Sequence, residues 1–214
     1  MLLLLAAALT PTAQWISDIF FALDKTILEW YHALALGAGE VLTPLADLVS
    51  WTGWKGLFLI VVTVALLLFR KTRKTGLYCA AAMLLGYILV NVLIKPAIAR
   101  PRPYAFDGTI RQWWEYVSGL SFSLKESDLS FPSGHMNAAC AFAGGVVFSR
   151  GKKWLAPMLV YVVLMGMSRN YLQVHYPSDI LFAFCTGLLA AAVGALIMRA
   201  VYKKWRETKL LREQ

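Results

Sequence analysis

Between Leu57 and Phe69 the chain reads LFLIVVTVALLLF, turns at once into RKTRK (Arg70 to Lys74), and starts a second apolar run from Gly76 to Ile94. This alternation constrains the fold more than any other feature. A helix needs about 20 predominantly apolar residues to cross a hydrocarbon core of ~30 Å, and basic residues collect at the cytoplasmic ends of such helices. A second basic turn, SRGKK, separates apolar runs at about 134 to 148 and at Leu155 to Met167; a third cluster, KKWRETKLLR, follows the run from Ile180 to Met198. All three clusters fall on one side, which the positive-inside rule assigns to the cytoplasm. Of the 214 residues, 59% are hydrophobic and 15% charged, a membrane protein's composition. The expected fold class is all-α: an integral membrane bundle of about six transmembrane helices, a single membrane domain over residues 1–214 with its core at 54–203.

The remaining segments fit around that frame. Residues 1–50 read as one or two N-terminal membrane or interfacial helices: Met1 to Leu9 is apolar but lacks the features of a signal peptide, and Ile19 to Leu36 carries Asp24, Lys25, Glu29 and His32 on an apolar pattern with helical spacing. Residues 95–131 read as a polar extracytoplasmic loop containing Asp107, Arg111, Glu115 and Asp128, with Trp113 and Trp114 suited to a membrane interface. Cys79, Cys140 and Cys185 all lie in apolar runs and read as small buried hydrophobes rather than disulfide or metal ligands. The formal charge of +9 sits at the ends of apolar segments, so it orients helices and points to no nucleic-acid partner.

The polar residues left over collect opposite the basic clusters. In HYPSD, Pro177 suits the first turn of a helix, placing His175 just ahead of that turn and Asp179 within it. A carboxylate reaching one imidazole nitrogen fixes the tautomer and leaves the other nitrogen as a nucleophile. Phosphoryl is the usual group such a histidine carries, and its transfer calls for cations and N–H donors around one point. Lys95, Arg102 and Arg169 supply the cations. In FPSGHMN, Ser133 suits a helix cap, Gly134 leaves its N–H open to a ligand, and His135 in the first turn is positioned to give a proton to a departing oxygen. Taken singly, each has a plain structural role: Lys95 and Arg102 as interfacial anchors, His135 as a cap, Arg169 and Asp179 as an ion pair.

Three strings together resemble the signature of the type 2 phosphatidic acid phosphatase family, membrane lipid phosphatases related to glucose-6-phosphatase and the vanadium haloperoxidases. KPAIARPRP matches its first motif at Lys95, Arg102 and Pro103; FPSGH matches the second at Pro132 to His135; SRNYLQVHYPSD matches the third at Ser168, Arg169, His175 and Asp179. The resemblance covers roughly residues 55–200. It implies catalytic roles for His175 as nucleophile, Asp179 as its orienting carboxylate and His135 as proton donor. It further implies phosphate binding by Lys95, Arg102, Ser133, Gly134 and Arg169, and no metal or other cofactor. Arg100 also precedes a proline; spacing favours Arg102, leaving Arg100 as a secondary phosphate or loop contact.

The function expected on these grounds is hydrolysis of a membrane lipid phosphate at the extracytoplasmic face of a bacterial cytoplasmic membrane. Undecaprenyl diphosphate is the favoured substrate, with phosphatidylglycerol phosphate and phosphatidic acid as alternatives. Arg100, Arg111 or Lys125 would supply the extra cation that a diphosphate needs. Readings of other classes are a phosphotransferase, a vanadate-binding oxidant, or a non-catalytic transporter or scaffold. The intact nucleophile, carboxylate and proton donor argue against the last. Partners are thus the lipid substrate and membrane lipids; the sequence assigns no oligomeric state.

Overall fold

In a computed structural model, residues 9–106, 108–120 and 129–212 are described, and among them the chain is helical with short connections and no strand. Helix α1 (Pro11–Gly53) starts where Thr10 accepts a bond from the N–H of Ala13 and Pro11 supplies a preset φ. Its 43 residues would extend about 65 Å at 1.5 Å each, twice a hydrocarbon core. It therefore bends, at Ala38 (φ −134°, ψ 20°) between Gly37 and Gly39, with Pro44 nearly two turns on.

The two halves of α1 do different work. The second runs antiparallel to α8 (Leu155–Tyr171): Thr43 meets the Tyr171 hydroxyl at 2.9 Å, Ser168 donates to the Ala46 carbonyl at 2.8 Å, and Thr52 meets Tyr161 at 3.0 Å. The first half lies across one end of the bundle. Thr10 there bonds to the Ile98 carbonyl, Phe20 packs edge-on against Phe182, and Tyr31 against Tyr171.

A turn at Trp54–Gly56, with Lys55 (φ 49°) and Gly56 (φ 68°) both left-handed, leads into α2 (Leu57–Leu68). Helix α3 (Arg73–Tyr87) continues through a π-helical segment, Ile88–Ile94, into the short α4 (Lys95–Ile98). Helices α3, α7 (Gly134–Arg150) and α9 (Pro177–Arg212) form the packed centre, where small residues let backbones approach. A Cβ on Gly145 would lie 2.7 Å from the Cα of Cys79, and Ala82, Ala141 and Ala191 are buried beside that crossing. Outward faces are apolar: Leu68, Leu84, Leu159 and Leu196 are all exposed, as lipid-facing residues are. Among the described residues, three helical stretches, Pro11–Leu68, Arg73–Ile98 and Pro177–Thr208, are long and apolar enough to cross a membrane. The chain is an all-α integral membrane bundle.

Two expectations change. Residues 95–131 are not a plain loop: they include α4, α5 (Pro103–Phe106) and α6 (Gly108–Leu120). Trp114 stacks on Tyr104 at 4.2 Å and Trp113 packs edge-on against His32 and Tyr171, so the tryptophans cap an aromatic cluster instead of simply marking an interface. Cys79 and Cys140 are buried but Cys185 is exposed, because it sits on the outward side of α9. Asp107, Lys125, Asp128 and residues 1–8 lie outside the described residues.

Two of the basic turns meet at one end, where Arg150 donates to Thr75 at 2.7 Å and to the Lys71 carbonyl at 3.1 Å. The opposite end gathers the start of α7, the end of α8, the start of α9 and the α4–α5 connection. Every described residue selected as catalytic or phosphate-binding lies there.

Candidate active site

The chain leaves α8 through a tight turn in which Gln173 takes a left-handed φ of 55°, and re-enters a helix at Pro177. Asp179, in the first turn of α9, reaches back so that its Oδ2 accepts the N–H of Tyr176 at 3.0 Å. This is half of a capping box, and it orients the carboxylate. The same oxygen lies 3.4 Å from Nδ1 of His175. With the proton on Nδ1 facing that carboxylate, Nε2 carries the lone pair. Nε2 points to Arg102, whose Nη1 is 3.3 Å away. Both His175 and Asp179 are fully buried. Burial holds the imidazole well below its ordinary value of 6.5, and the charges of Arg102, Arg169, Lys95 and His135 push it further down. His175 is therefore a neutral base facing a cluster of cations.

Each cation is held by a different element. Arg102, in the α4–α5 connection, donates to the Val174 carbonyl at 2.7 Å, which fixes it beside His175. Arg169, in the last turn of α8, donates to Ser50 of α1, and both are buried. Lys95, at the end of the π segment, donates to the Leu129 carbonyl at 3.3 Å. A π segment shifts the helix register, a device frequent at functional sites. Here it presents Asn91 and Lys95 on one side.

Ser133 caps α7 by accepting from the N–H of Met136, and its own N–H reaches the Asp179 carbonyl at 3.4 Å. That bond ties the start of α7 to the start of α9, so the two histidine-bearing turns sit together. A Cβ on Gly134 would come within 3.2 Å of the Asn91 Oδ1, so glycine here also makes room for that side chain. His135, almost fully buried, follows in the first turn. Its ring is wedged under the end of α1, where a Cβ on Gly53 would lie 2.7 Å from Cδ2. A neutral imidazole, an oriented carboxylate, three cations, a helix start and a second histidine form a geometry suited to moving a phosphoryl group.

A family model described as the PAP2 superfamily matches residues 75–206. The chain belongs to the PAP2 superfamily. Phosphatidylglycerophosphatase B of Bacillus subtilis is 29% identical over 87% of this chain and 86% of its own length. An undecaprenyl-diphosphatase of Sulfolobus acidocaldarius is 31% identical over 60% of this chain and 57% of its own. A lipid A 1-phosphatase of Rhizobium johnstonii is 27% identical over 87% and 82%. Two solved structures share the fold. One, of LpxE from Aquifex aeolicus, has a TM-score of 0.58 at 21% identity over 78% of this chain and 93% of that one. The other, of a transmembrane PAP2 type phosphatidylglycerolphosphate phosphatase from Bacillus subtilis, has a TM-score of 0.56 at 24% identity over 91% and 98%.

All eight core positions selected from this PAP2 sequence come to the same end of the bundle. Arg100 does not join the cations as a phosphate contact: its Nη1 donates to Asp179 Oδ1 at 2.8 Å and its Nη2 to Asp24 at 2.9 Å, on the far side of the carboxylate from His175. The two arginines are two residues apart and leave opposite sides of the connection. Arg111 is also elsewhere, donating to the Tyr104 and Ala105 carbonyls at the end of α5. The selection passed over Asp24, Ser50, Gly53, Lys55 and Asn91. A buried carboxylate in an apolar helix was the signal for Asp24; the others carry none in sequence.

Beside His135, Lys95, Asn91 and Gly134 opens a cavity of about 780 Å³ between α2 and α3. Its walls are apolar, including Ile60, Val64, Leu67, Met83 and Leu84, and Trp54 and Lys55 line it near the α1–α2 turn.

Proposed function

We propose that this PAP2 membrane lipid phosphatase works through a phosphohistidine on His175, with a polyprenyl diphosphate of the undecaprenyl kind as favoured substrate. The observation that carries the mechanism is the His175–Asp179 pair with its open nitrogen turned to Arg102. Nε2 attacks phosphorus, and the bond from phosphorus to the leaving oxygen breaks. His135 gives that oxygen a proton. Water then attacks the phosphohistidine, loses a proton to His135, and inorganic phosphate departs. Lys95, Arg102, Arg169 and the N–H groups at Ser133 and Gly134 stabilise the equatorial oxygens through both steps.

The lipid reading is supported by the cavity, whose polar end is at His135 and Lys95 and whose walls are apolar. The diphosphate reading is supported by Lys55, which lines the same cavity near the α1–α2 turn. With Arg100 and Arg111 engaged elsewhere, Lys55 is the cation we assign to a second phosphate. A phosphatidylglycerol phosphate substrate is the second reading, favoured by the longer match to phosphatidylglycerophosphatase B. We place the site at the extracytoplasmic face of the cytoplasmic membrane, because the basic turns lie at the opposite end.

The test is phosphate release from undecaprenyl diphosphate, phosphatidylglycerol phosphate and phosphatidic acid in detergent with a chelator present. Fastest turnover of the diphosphate supports the assignment, and preference for either monoester overturns it. His175→Ala should abolish both turnover and the trapped phosphoenzyme; near-normal activity would remove His175 as nucleophile.

A further inference from the structure

Asp24 is a carboxylate at the middle of the first half of α1, and it is only 3% exposed. A buried carboxylate in an apolar setting is costly unless several donors meet it. Here Oδ1 accepts the backbone N–H of Ser178 at 2.8 Å, and Oδ2 accepts the Ser178 hydroxyl at 2.7 Å and Arg100 Nη2 at 2.9 Å. Arg100 is equally constrained: its Nη1 is shared by Ser178 Oγ and Asp179 Oδ1 at 2.8 Å each, its Nε reaches Ser17, and Tyr176 packs on its face at 3.8 Å. One guanidinium thus joins two buried carboxylates, one of which contacts His175.

We propose that Asp24, acting through Arg100, is a positioning residue for the His175–Asp179 couple, supplied by a helix outside the segment that the family model matches. The inference rests on the reading of His175 as nucleophile. Two effects follow from the bonding. Asp179 has one oxygen on Arg100 and the other on Tyr176 and His175, so its carboxylate plane is set by how Arg100 is held, and Asp24 holds it. An arginine paired with Asp179 alone would also draw charge away from the histidine side. The negative charge of Asp24 divides that pull, leaving Asp179 the stronger acceptor for the Nδ1 proton. Asp24 touches no reacting atom; it acts through two others.

The test is rapid-quench measurement of phosphoenzyme formation with a labelled polyprenyl diphosphate in detergent, on full-length wild type and Asp24→Asn. Asparagine keeps the shape and removes the charge. The expected result is phosphoenzyme formation and kcat slower by about tenfold or more, with KM within about twofold and an unchanged melting temperature. Asp24→Glu should recover part of the rate. A folded Asp24→Asn with wild-type kcat overturns the inference, and so does a rate loss matched by an equal loss of folded protein. If Asp24→Asn does not fold, Ser178→Ala carries the test without altering any charge: a fall in kcat of about threefold or more is expected, and a wild-type rate overturns it. If wild type forms no phosphoenzyme with labelled polyprenyl diphosphate, phosphatidylglycerol phosphate or phosphatidic acid, the nucleophile reading fails and this inference with it. If wild type forms it and Asp24→Asn does so equally fast, only this inference fails.

Discussion

The neutrality of His175 has two consequences with opposite practical signs. As the proposed nucleophile His175 acts in its unprotonated form, which persists well below pH 6.5 because burial and four neighbouring groups oppose the proton. The acidic limb of kcat/KM is therefore expected well below pH 6.5. Stability runs the other way. The unfolded chain takes a proton on this histidine near pH 6.5 and the folded chain does not, so stability present above that pH is lost as pH falls below it. The slope is up to about 1.4 kcal/mol per pH unit for one proton. Melting temperatures recorded from about pH 7.5 down to 5 should fall more steeply for wild type than for His175→Asn; parallel curves would contradict the buried neutral imidazole. Lys55 supplies a second measurement. Lys55→Ala should raise KM for a lipid diphosphate by about tenfold, the weight of one charged contact, and leave a monophosphate within about twofold. Equal effects on both would remove Lys55 from the leaving-group side. Side chains such as His175 and Arg169 were legible because their motifs set residue type and spacing together. Spacing singled out Arg102, but the pairing of Arg100 with two carboxylates was not legible, since the direction each arginine leaves the backbone depends on the left-handed turn at Ala99.

Helix α1 is the element that a reading by apolar runs resolves least. Its pattern shows an amphipathic stretch, but not that one continuous helix bends at Ala38, crosses the site end with one half and descends along α8 with the other. Tertiary contacts with α8, α9 and α4 decide that, and they lie 80 or more residues away in sequence. The same holds for α6, where turn-like composition hid a helix held by Trp113 and Trp114. By contrast α2, α7, α8 and α9 were legible because length, apolarity and flanking charge agree. The end of α1 carries a direct prediction. Gly53→Ala would set a Cβ 2.7 Å from Cδ2 of the His135 ring and 3.2 Å from its Cβ, so the ring must shift to admit it. Misplacing a proton donor by about 1 Å costs on the order of a hundredfold, so kcat should fall by ten- to a hundred-fold, most with poor leaving groups. Wild-type turnover by a folded variant would show that His135 tolerates the shift.

The whole bundle separates two kinds of surface: basic turns at one end, anion-binding groups at the other. The orientation proposed from it is measurable. A cysteine introduced by Gln112→Cys, on the exposed side of α6, should react with an impermeant thiol reagent from outside intact cells; reaction only after the cytoplasm is opened would reverse the assignment. The polarity of the fold was legible from three basic clusters alone, because that signal needs no knowledge of packing. How the site is covered was not. The first half of α1 passes over the ends of α8, α9 and α4, and His175, Arg102 and Arg169 are fully buried beneath that end. The cavity runs instead between α2 and α3, whose Ile60, Val64 and Leu84 are exposed on the apolar flank. A reactant arriving this way diffuses in two dimensions. Its effective concentration is a mole fraction among the surrounding amphiphiles, so adding detergent at constant bulk substrate should slow turnover by simple surface dilution.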